Sequence, residues 1–281
     1  MKKLFLLALA VIPLALASCD VEKEGDDAPN VTVLEGSWYY DDYHHPFTIV
    51  FKGDNYTFET TGFKDEGTFT YKDNVITCHI TERWSCERVE WENGKRVNKG
   101  EWEKIGVDKD YTSRKFEVTL LENGVCIGNL TDDFYGGEPM EIMLICQGVK
   151  ISINASEVEG EWVVKEGQEL IARLVVQGNK YTIWQNMLYF EKDASTKEIG
   201  TWSYANGYLT LTPESYLYSY TRQSGSTGYS FANVDPESLE ADTWYPAEYE
   251  LDPIKIPAYK SGNTFYMNIP DAEGIYKFKK K

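Results

Sequence analysis

Hydrophobic and polar positions alternate with a period of two along most of the chain, and after the first 18 residues no long apolar period of helical spacing is sustained. Residues 48–51 and 56–58 read as strands on either side of a turn centred on Gly53-Asp54. Phe51 then faces Tyr56 and Ile49 faces Phe58, and a glycine at the first central position suits the positive φ of a type II′ turn. Gly178-Asn179 predicts the same hairpin further on, with Val176 facing Tyr181 and Leu174 facing Ile183. The next hairpin turns at Asp73-Asn74, which sets Tyr71 opposite Ile76 and Phe69 opposite Cys78. Its counterpart turns at Asn206-Gly207, which sets Tyr204 opposite Leu209 and Trp202 opposite Leu211. Asn-Gly is a strong hairpin signal, and Asp and Asn also tolerate positive φ. A slip of one residue would turn every aromatic to the other face, so these apolar pairs fix the register.

The hairpins come in two sets because the chain repeats itself. Leu34-Glu35-Gly36-Ser37-Trp38 returns as Val158-Glu159-Gly160-Glu161-Trp162 after 124 residues, and Gly67-Thr68-Phe69-Thr70-Tyr71 returns as Gly200-Thr201-Trp202-Ser203-Tyr204 after 133. Between them, the segment from Phe51 to Thr57 returns from Val176 to Thr182 after 125. The order is kept and one loop has grown. Residues 34–157 and 158–281 are therefore read as duplicated domains, each of a length that suits a small barrel or sandwich of about eight short strands. Further strands are expected at residues 116–121 and 125–130 around Asn123-Gly124, then at 140–146 and 149–153. The charged segment 83–104, with Trp84, Trp91 and Trp102, predicts a solvent-exposed ribbon turning at Asn93-Gly94. In the second copy, residues 264–269 and 274–279 are strand candidates, residues 235–243 a short helical turn, and Pro253, Pro257 and Pro270 mark edges and loops.

The ends and the charge place the chain in a cell. Lys2 and Lys3, an apolar run from Leu4 to Leu16, and Leu16-Ala17-Ser18 before Cys19 read as a secretion signal over residues 1–18. The run is too short for a stable membrane helix, which needs roughly 20 residues. Leu-Ala-Ser-Cys resembles the lipobox of bacterial lipoproteins, which implies cleavage before Cys19 and lipid on its sulfur. Residues 19–33 carry Asp20, Glu22, Glu24, Asp26 and Asp27 against Lys23 and are expected to be a disordered acidic tether. An acidic run in that place resembles the surface-export signal of Bacteroidetes lipoproteins, which implies an outer-membrane protein displayed on the cell surface, the alternative being a periplasm-facing one. Removing Lys2 and Lys3 takes the formal charge from −17 to −19, which disfavours nucleic acid and anionic headgroups as partners and leaves the lipid as the membrane contact. Of the other cysteines, Cys78 aligns with Leu211 and so reads as an inward apolar position. Cys86, Cys126 and Cys146 have no such control, and a core of this size is expected to hold without disulfides.

The Leu-x-Gly-x-Trp and Gly-Thr-aromatic-x-Tyr patterns, with a meander of tight hairpins, are similar to the lipocalin-like domains of Bacteroidetes lipoproteins. The resemblance covers both copies and implies an all-β protein of two antiparallel lipocalin-like β-barrels, or barrel-like sandwiches, in tandem. It also implies that Trp38 and Trp162 plug one end of each barrel. The usual arginine over that tryptophan is missing, since residues 277–281 offer only lysines, and no second lipocalin motif is found.

Chemistry adds little. His44-His45 beside Asp41 and Asp42, with His79 elsewhere, makes a poor metal set, because adjacent histidines point apart on extended chain. Asp108 and Asp110 lack the glycine and glutamate of a calcium loop. Gly225-Ser226-Thr227-Gly228 has the wrong spacing for a nucleophile elbow, and phosphate-binding glycine patterns are absent. No catalytic residue, metal or cofactor is assigned. The best binding candidates are aromatic: Tyr216, Tyr218 and Tyr220 along one strand face, and Trp91 and Trp102 on the charged segment. The expectation is a non-catalytic, lipid-anchored envelope protein that binds a small apolar or glycan ligand, with the second barrel favoured for its longer loops. The alternative is a docking or spacer module for an envelope protein partner.

Overall fold

A computed structural model of the chain describes residues 31–41, 46–92, 95–131, 137–167, 169–187, 194–220, 244–246, 252–269 and 274–281. All eight cross-strand pairs expected from the alternation are present: Phe51 with Tyr56, Ile49 with Phe58, Tyr71 with Ile76 and Phe69 with Cys78 in the first copy, and their four counterparts in the second. The turns have the chemistry their residues demand. At the first hairpin of each copy only the glycine takes positive φ, Gly53 and Gly178 both at 57°. At the next, both central residues do: Asp73 and Asn74 at 54° and 60°, Asn206 and Gly207 at 51° and 83°.

The first copy contains β1 (Gly36–Tyr40), β2 (Phe47–Lys52), β3 (Asn55–Thr60), β4 (Phe63–Lys72), β5 (Val75–Cys86), β6 (Val89–Glu92), β7 (Lys95–Asn98), β8 (Trp102–Ile105), β9 (Ser113–Glu122), β10 (Val125–Thr131) and β11 (Met140–Cys146). The second contains β12 (Gly160–Glu166), β13 (Glu169–Gln177), β14 (Lys180–Met187), β15 (Ala194–Ala205), β16 (Tyr208–Tyr220), β17 (Trp244–Pro246), β18 (Ile254–Ser261), β19 (Thr264–Met267) and β20 (Tyr276–Lys280). Strands β1-β2-β3-β4-β5-β9-β10-β11 pair in a ring that returns to β1, and β12-β13-β14-β15-β16-β18-β19-β20 pair in a ring that returns to β12. The protein is thus two closed, eight-stranded antiparallel barrels in tandem. The duplication extends beyond the rings. In each copy the fifth strand outruns the barrel, and its far half pairs with an extra strand, β8 on β5 and β17 on β16.

The repeated motifs occupy equivalent and physically demanding places. Trp38 and Trp162 are buried, and each indole N–H donates to the carbonyl four residues earlier, Leu34 and Val158, at 2.7 Å in both barrels. Gly36 and Gly160 between them adopt φ of 130° and 123°, a region that suits glycine. The second glycine of the repeat has a different reason. Gly67 and Gly200 sit beside a β-bulge, each paired with a buried tyrosine, Tyr56 and Tyr181. A Cβ on Gly200 would lie 2.2 Å from the Thr212 carbonyl oxygen and 2.8 Å from the Tyr181 ring. Gly200→Ala is therefore expected to cost about 1–3 kcal/mol by overpacking, read as a lower urea midpoint at unchanged m-value. An unchanged midpoint would mean that the bulge opens without cost.

One expected strand is absent. Residues 149–153 are expected to form a strand, but they have no regular structure and lead into the one-turn helix α1 (Ala155–Val158). The β1–β11 pairing has already closed the ring, so no free edge remains for another strand. Asn154 instead caps the helical turn, with its N–H bound to the Glu157 carboxylate at 2.9 Å. Ile151 is buried in a third apolar cluster where the barrels meet. That cluster takes Val125, Ile127, Met143 and Ile145 from the outer faces of β10 and β11, and Tyr259 and Ile275 from the second barrel. At its rim the Asn123 amide donates to the Tyr259 hydroxyl at 2.9 Å, and Lys277 pairs with Glu141 at 2.5 Å.

Candidate functional site

Both barrels are built to one plan, yet their interiors differ, and the registers show why. Trp38 and Trp162 pair with Ile49 and Leu174, which makes Phe47 and Phe51 of the first barrel equivalent to Ala172 and Val176 of the second. By the same ladder Phe58 corresponds to Ile183, and Phe116 to Ile256. Four phenylalanine rings are thereby replaced by three aliphatic side chains and an alanine. The first interior keeps only about 20 Å³ of free space. The second contains a cavity of about 290 Å³, open to solvent beside Ile254, with a mixed lining of apolar Ile183, Leu211, Ile254, Ile256, Met267 and Ile269 and polar Gln185, Thr196, Glu198 and Tyr216. Aromatic volume in the second barrel lies elsewhere: Phe265 packs on Trp162 at 5.8 Å between centroids, and Phe278 is fully buried.

The polar groups follow the same logic. Asp65 on β4 pairs with Phe58 and Arg83, and Glu198 on β15 pairs with Ile183 and Tyr216, so the two acids are equivalent. In the first barrel Asp65 is 2% exposed and is held by two guanidinium groups, Arg83 through Nε at 2.7 Å and Nη2 at 3.1 Å, and Arg114 through Nη2 at 2.5 Å. The Arg114 guanidinium also lies 3.4 Å from the Phe58 ring centroid, and that of Arg83 lies 4.2 Å from the Tyr111 ring. Burial is the largest single influence on Arg83 and works against its charge, but the hydrogen bond to Asp65 and the charges of Asp65 and Tyr111 together outweigh it and hold the guanidinium pKa above its ordinary value.

In the second barrel the equivalent of Arg83 is Tyr216, and that of Arg114, set by the Cys78 and Leu211 pairings, is Ile254. Both cations are gone while the acid remains. Glu198 accepts the Tyr181 hydroxyl, whereas the equivalent Tyr56 hydroxyl has no partner among the described residues. Burial lifts the Glu198 carboxyl above the usual carboxylate range, against the pull of the Tyr181 hydrogen bond. Among the described residues no lysine or arginine pairs with it.

The structure separates the residues singled out from sequence. Tyr216 lines the cavity. Tyr218 and Tyr220 continue β16, but their side chains lie outside the described residues. Trp91 is 60% exposed on β6, opposite Arg96 of β7. Trp102 is half-buried on β8, with Lys64 over its ring at 5.8 Å. The two tryptophans thus belong to the first copy's outer ribbons, and Tyr216 to the second barrel's wall. Trp162 gains a cation that no arginine provides: Lys280 lies 5.3 Å from its ring centroid. His44, His45, Cys19 and residues 19–30 of the tether lie outside the described residues, and His79 is exposed on β5. Among the described residues no three His, Cys, Asp or Glu side chains are placed to hold a metal. Cys78, Cys86, Cys126 and Cys146 are free thiols, and burial pushes those of Cys126 and Cys146 up, away from thiolate chemistry. No protein-family model and no curated protein matches this chain, whose fold is a tandem of two closed, eight-stranded antiparallel barrels, the first filled and the second hollow.

Proposed function

We propose that this protein is a non-catalytic, lipid-anchored binding protein of the bacterial outer membrane, displayed on the cell surface as in Bacteroidetes, and that it holds a small amphipathic molecule inside the second barrel. The observation that carries the reading is the 290 Å³ cavity, whose lining is mainly apolar with a few polar side chains from β14, β15 and β16. An engineered apolar cavity of about 150 Å³ takes benzene, so this one suits a molecule of roughly a dozen non-hydrogen atoms. The apolar side chains would drive binding by area removed from water, and the polar ones would orient one end. Among the described residues no helix is long and apolar enough to cross a membrane, and the anchor rests on the leader and Cys19.

The test refills the cavity. Ile256→Phe places in the second barrel the ring that Phe116 places in the first. Saturation-transfer NMR on the full chain is expected to show binding of 2-phenylethanol, and Ile256→Phe is expected to abolish it while leaving the circular dichroism spectrum unchanged. Binding that survives in the folded variant would remove the cavity as the site, and a parent chain that binds neither this alcohol nor its ammonium and carboxylate counterparts would remove the reading. A second reading, a docking module, draws on Trp91, which stands 60% exposed on a two-stranded ribbon. Photocrosslinking from position 91 in intact cells would then capture an envelope protein, and failure to capture one would count against it.

A further inference from the structure

The two barrels form an internal control experiment on one inward-facing acid. At this position the fold keeps a carboxylate in both copies, on the fourth strand, two residues before the bulge glycine: Asp65 before Gly67 and Glu198 before Gly200. In the first copy the chain itself provides two guanidinium groups and the interior is full. In the second the positions of both guanidiniums hold Tyr216 and Ile254, and the place they would occupy is part of the cavity. Resting on the reading of this cavity as a binding site, we infer that the ligand of the second barrel carries a cationic nitrogen, which takes up against Glu198 the role that Arg83 and Arg114 play against Asp65.

The rest of the lining agrees with a small amphipathic amine. A primary ammonium group brings three donors, and acceptors stand beside Glu198 in Gln185, Thr196 and Tyr216. The apolar lining residues Ile183, Ile254, Ile256 and Met267 receive the hydrocarbon part. An anionic ligand would meet the half-buried carboxylate with like charge, and a neutral alcohol would gain only a weaker hydrogen bond. The proposal therefore separates ligands by head group at constant hydrocarbon body.

The probes are 2-phenylethylammonium, 2-phenylethanol and 3-phenylpropionate, titrated into the full chain by ligand-observed NMR. The ammonium probe is expected to bind about ten-fold more tightly than the alcohol, with the carboxylate weakest. In Glu198→Gln the ammonium preference is expected to vanish while the alcohol still binds. Tyr216→Arg, which restores the guanidinium that the first barrel uses, is expected to abolish the preference from the opposite direction. If the three probes bind equally well to the parent chain, or if Glu198→Gln keeps the ammonium preference, the inference falls and the binding site stands. If none of the three binds, both fall.

Discussion

Asp65→Ala is expected to destabilise the protein by about 3–5 kcal/mol, because it strips a shared carboxylate from two buried guanidinium groups. The side chains of Asp65, Arg114 and Arg83 are 2%, 3% and 13% exposed, so water cannot replace the lost partner without opening the barrel. The rings of Phe58 and Tyr111 under the two guanidiniums offset part of the loss, since a desolvated cation over an aromatic face is worth about 2 kcal/mol or more. Urea unfolding of the full chain reads the effect as a shift in midpoint. The counterpart Glu198→Gln is expected to move the midpoint far less, because among the described residues that carboxylate has no cation to lose and a glutamine oxygen can still accept the Tyr181 hydroxyl. Equal losses in the two variants would show that both acids are structural, which would remove the ground for treating Glu198 as spare. Replacing Asp65, Arg83 and Arg114 together by apolar residues of similar volume provides the complementary check, since a buried ion network often contributes little net stability.

The strands were legible in the sequence because each has one wet face and one dry one. Where that condition failed, so did the alternation. The run Met140-Glu141-Ile142-Met143-Leu144-Ile145-Cys146 is continuously apolar after Glu141 because Ile142 and Leu144 face the first core while Met143 and Ile145 face the second barrel. Val125-Cys126-Ile127 reads the same way. Such unbroken runs are the usual mark of a strand buried on both faces, and they were the available signal for the contact between the barrels. The closure of each ring was less legible, since it depends on β11 meeting β1 and β20 meeting β12 across more than 100 residues.

The site was half legible. Both copies carry an acid two residues before the repeated glycine, Asp65-Glu66-Gly67 and Glu198-Ile199-Gly200, in phase with inward aromatic positions. That coincidence pointed inward. The bulge between Glu66 and Gly67, and between Ile199 and Gly200, shifts the facing strand by one and hides which residue meets the acid. Arg83 and Tyr216 could therefore not be matched by counting. Nor could cavity volume be read without register, because it follows from which side chains share an interior: Phe47, Phe51, Phe58 and Phe116 in one copy against Ala172, Val176, Ile183 and Ile256 in the other.

Trp162→Ala is expected to cost about 3–5 kcal/mol, the range for deleting a large buried aromatic side chain. The ring is fully buried, and its neighbours argue for the upper part of that range. Phe265 and Phe278 are stiff aromatic side chains held in paired strands, and they can close over a gap only by moving the sheet. The Val158 carbonyl would also lose the indole N–H at 2.7 Å, and Val158 is itself buried at 1% exposure, so no water stands ready to replace the donor. Trp162→Phe separates the two contributions. It keeps most of the ring while deleting the donor, so its expected cost is the penalty of one unsatisfied buried carbonyl, about 1–3 kcal/mol. Thermal and urea unfolding of the two variants, run beside Trp38→Ala, measure these losses directly. If Trp162→Ala proved no worse than Trp162→Phe, the ring would not be filling the barrel's end, and the role that the repeated Gly-x-Trp motif is given in both copies would have to be abandoned.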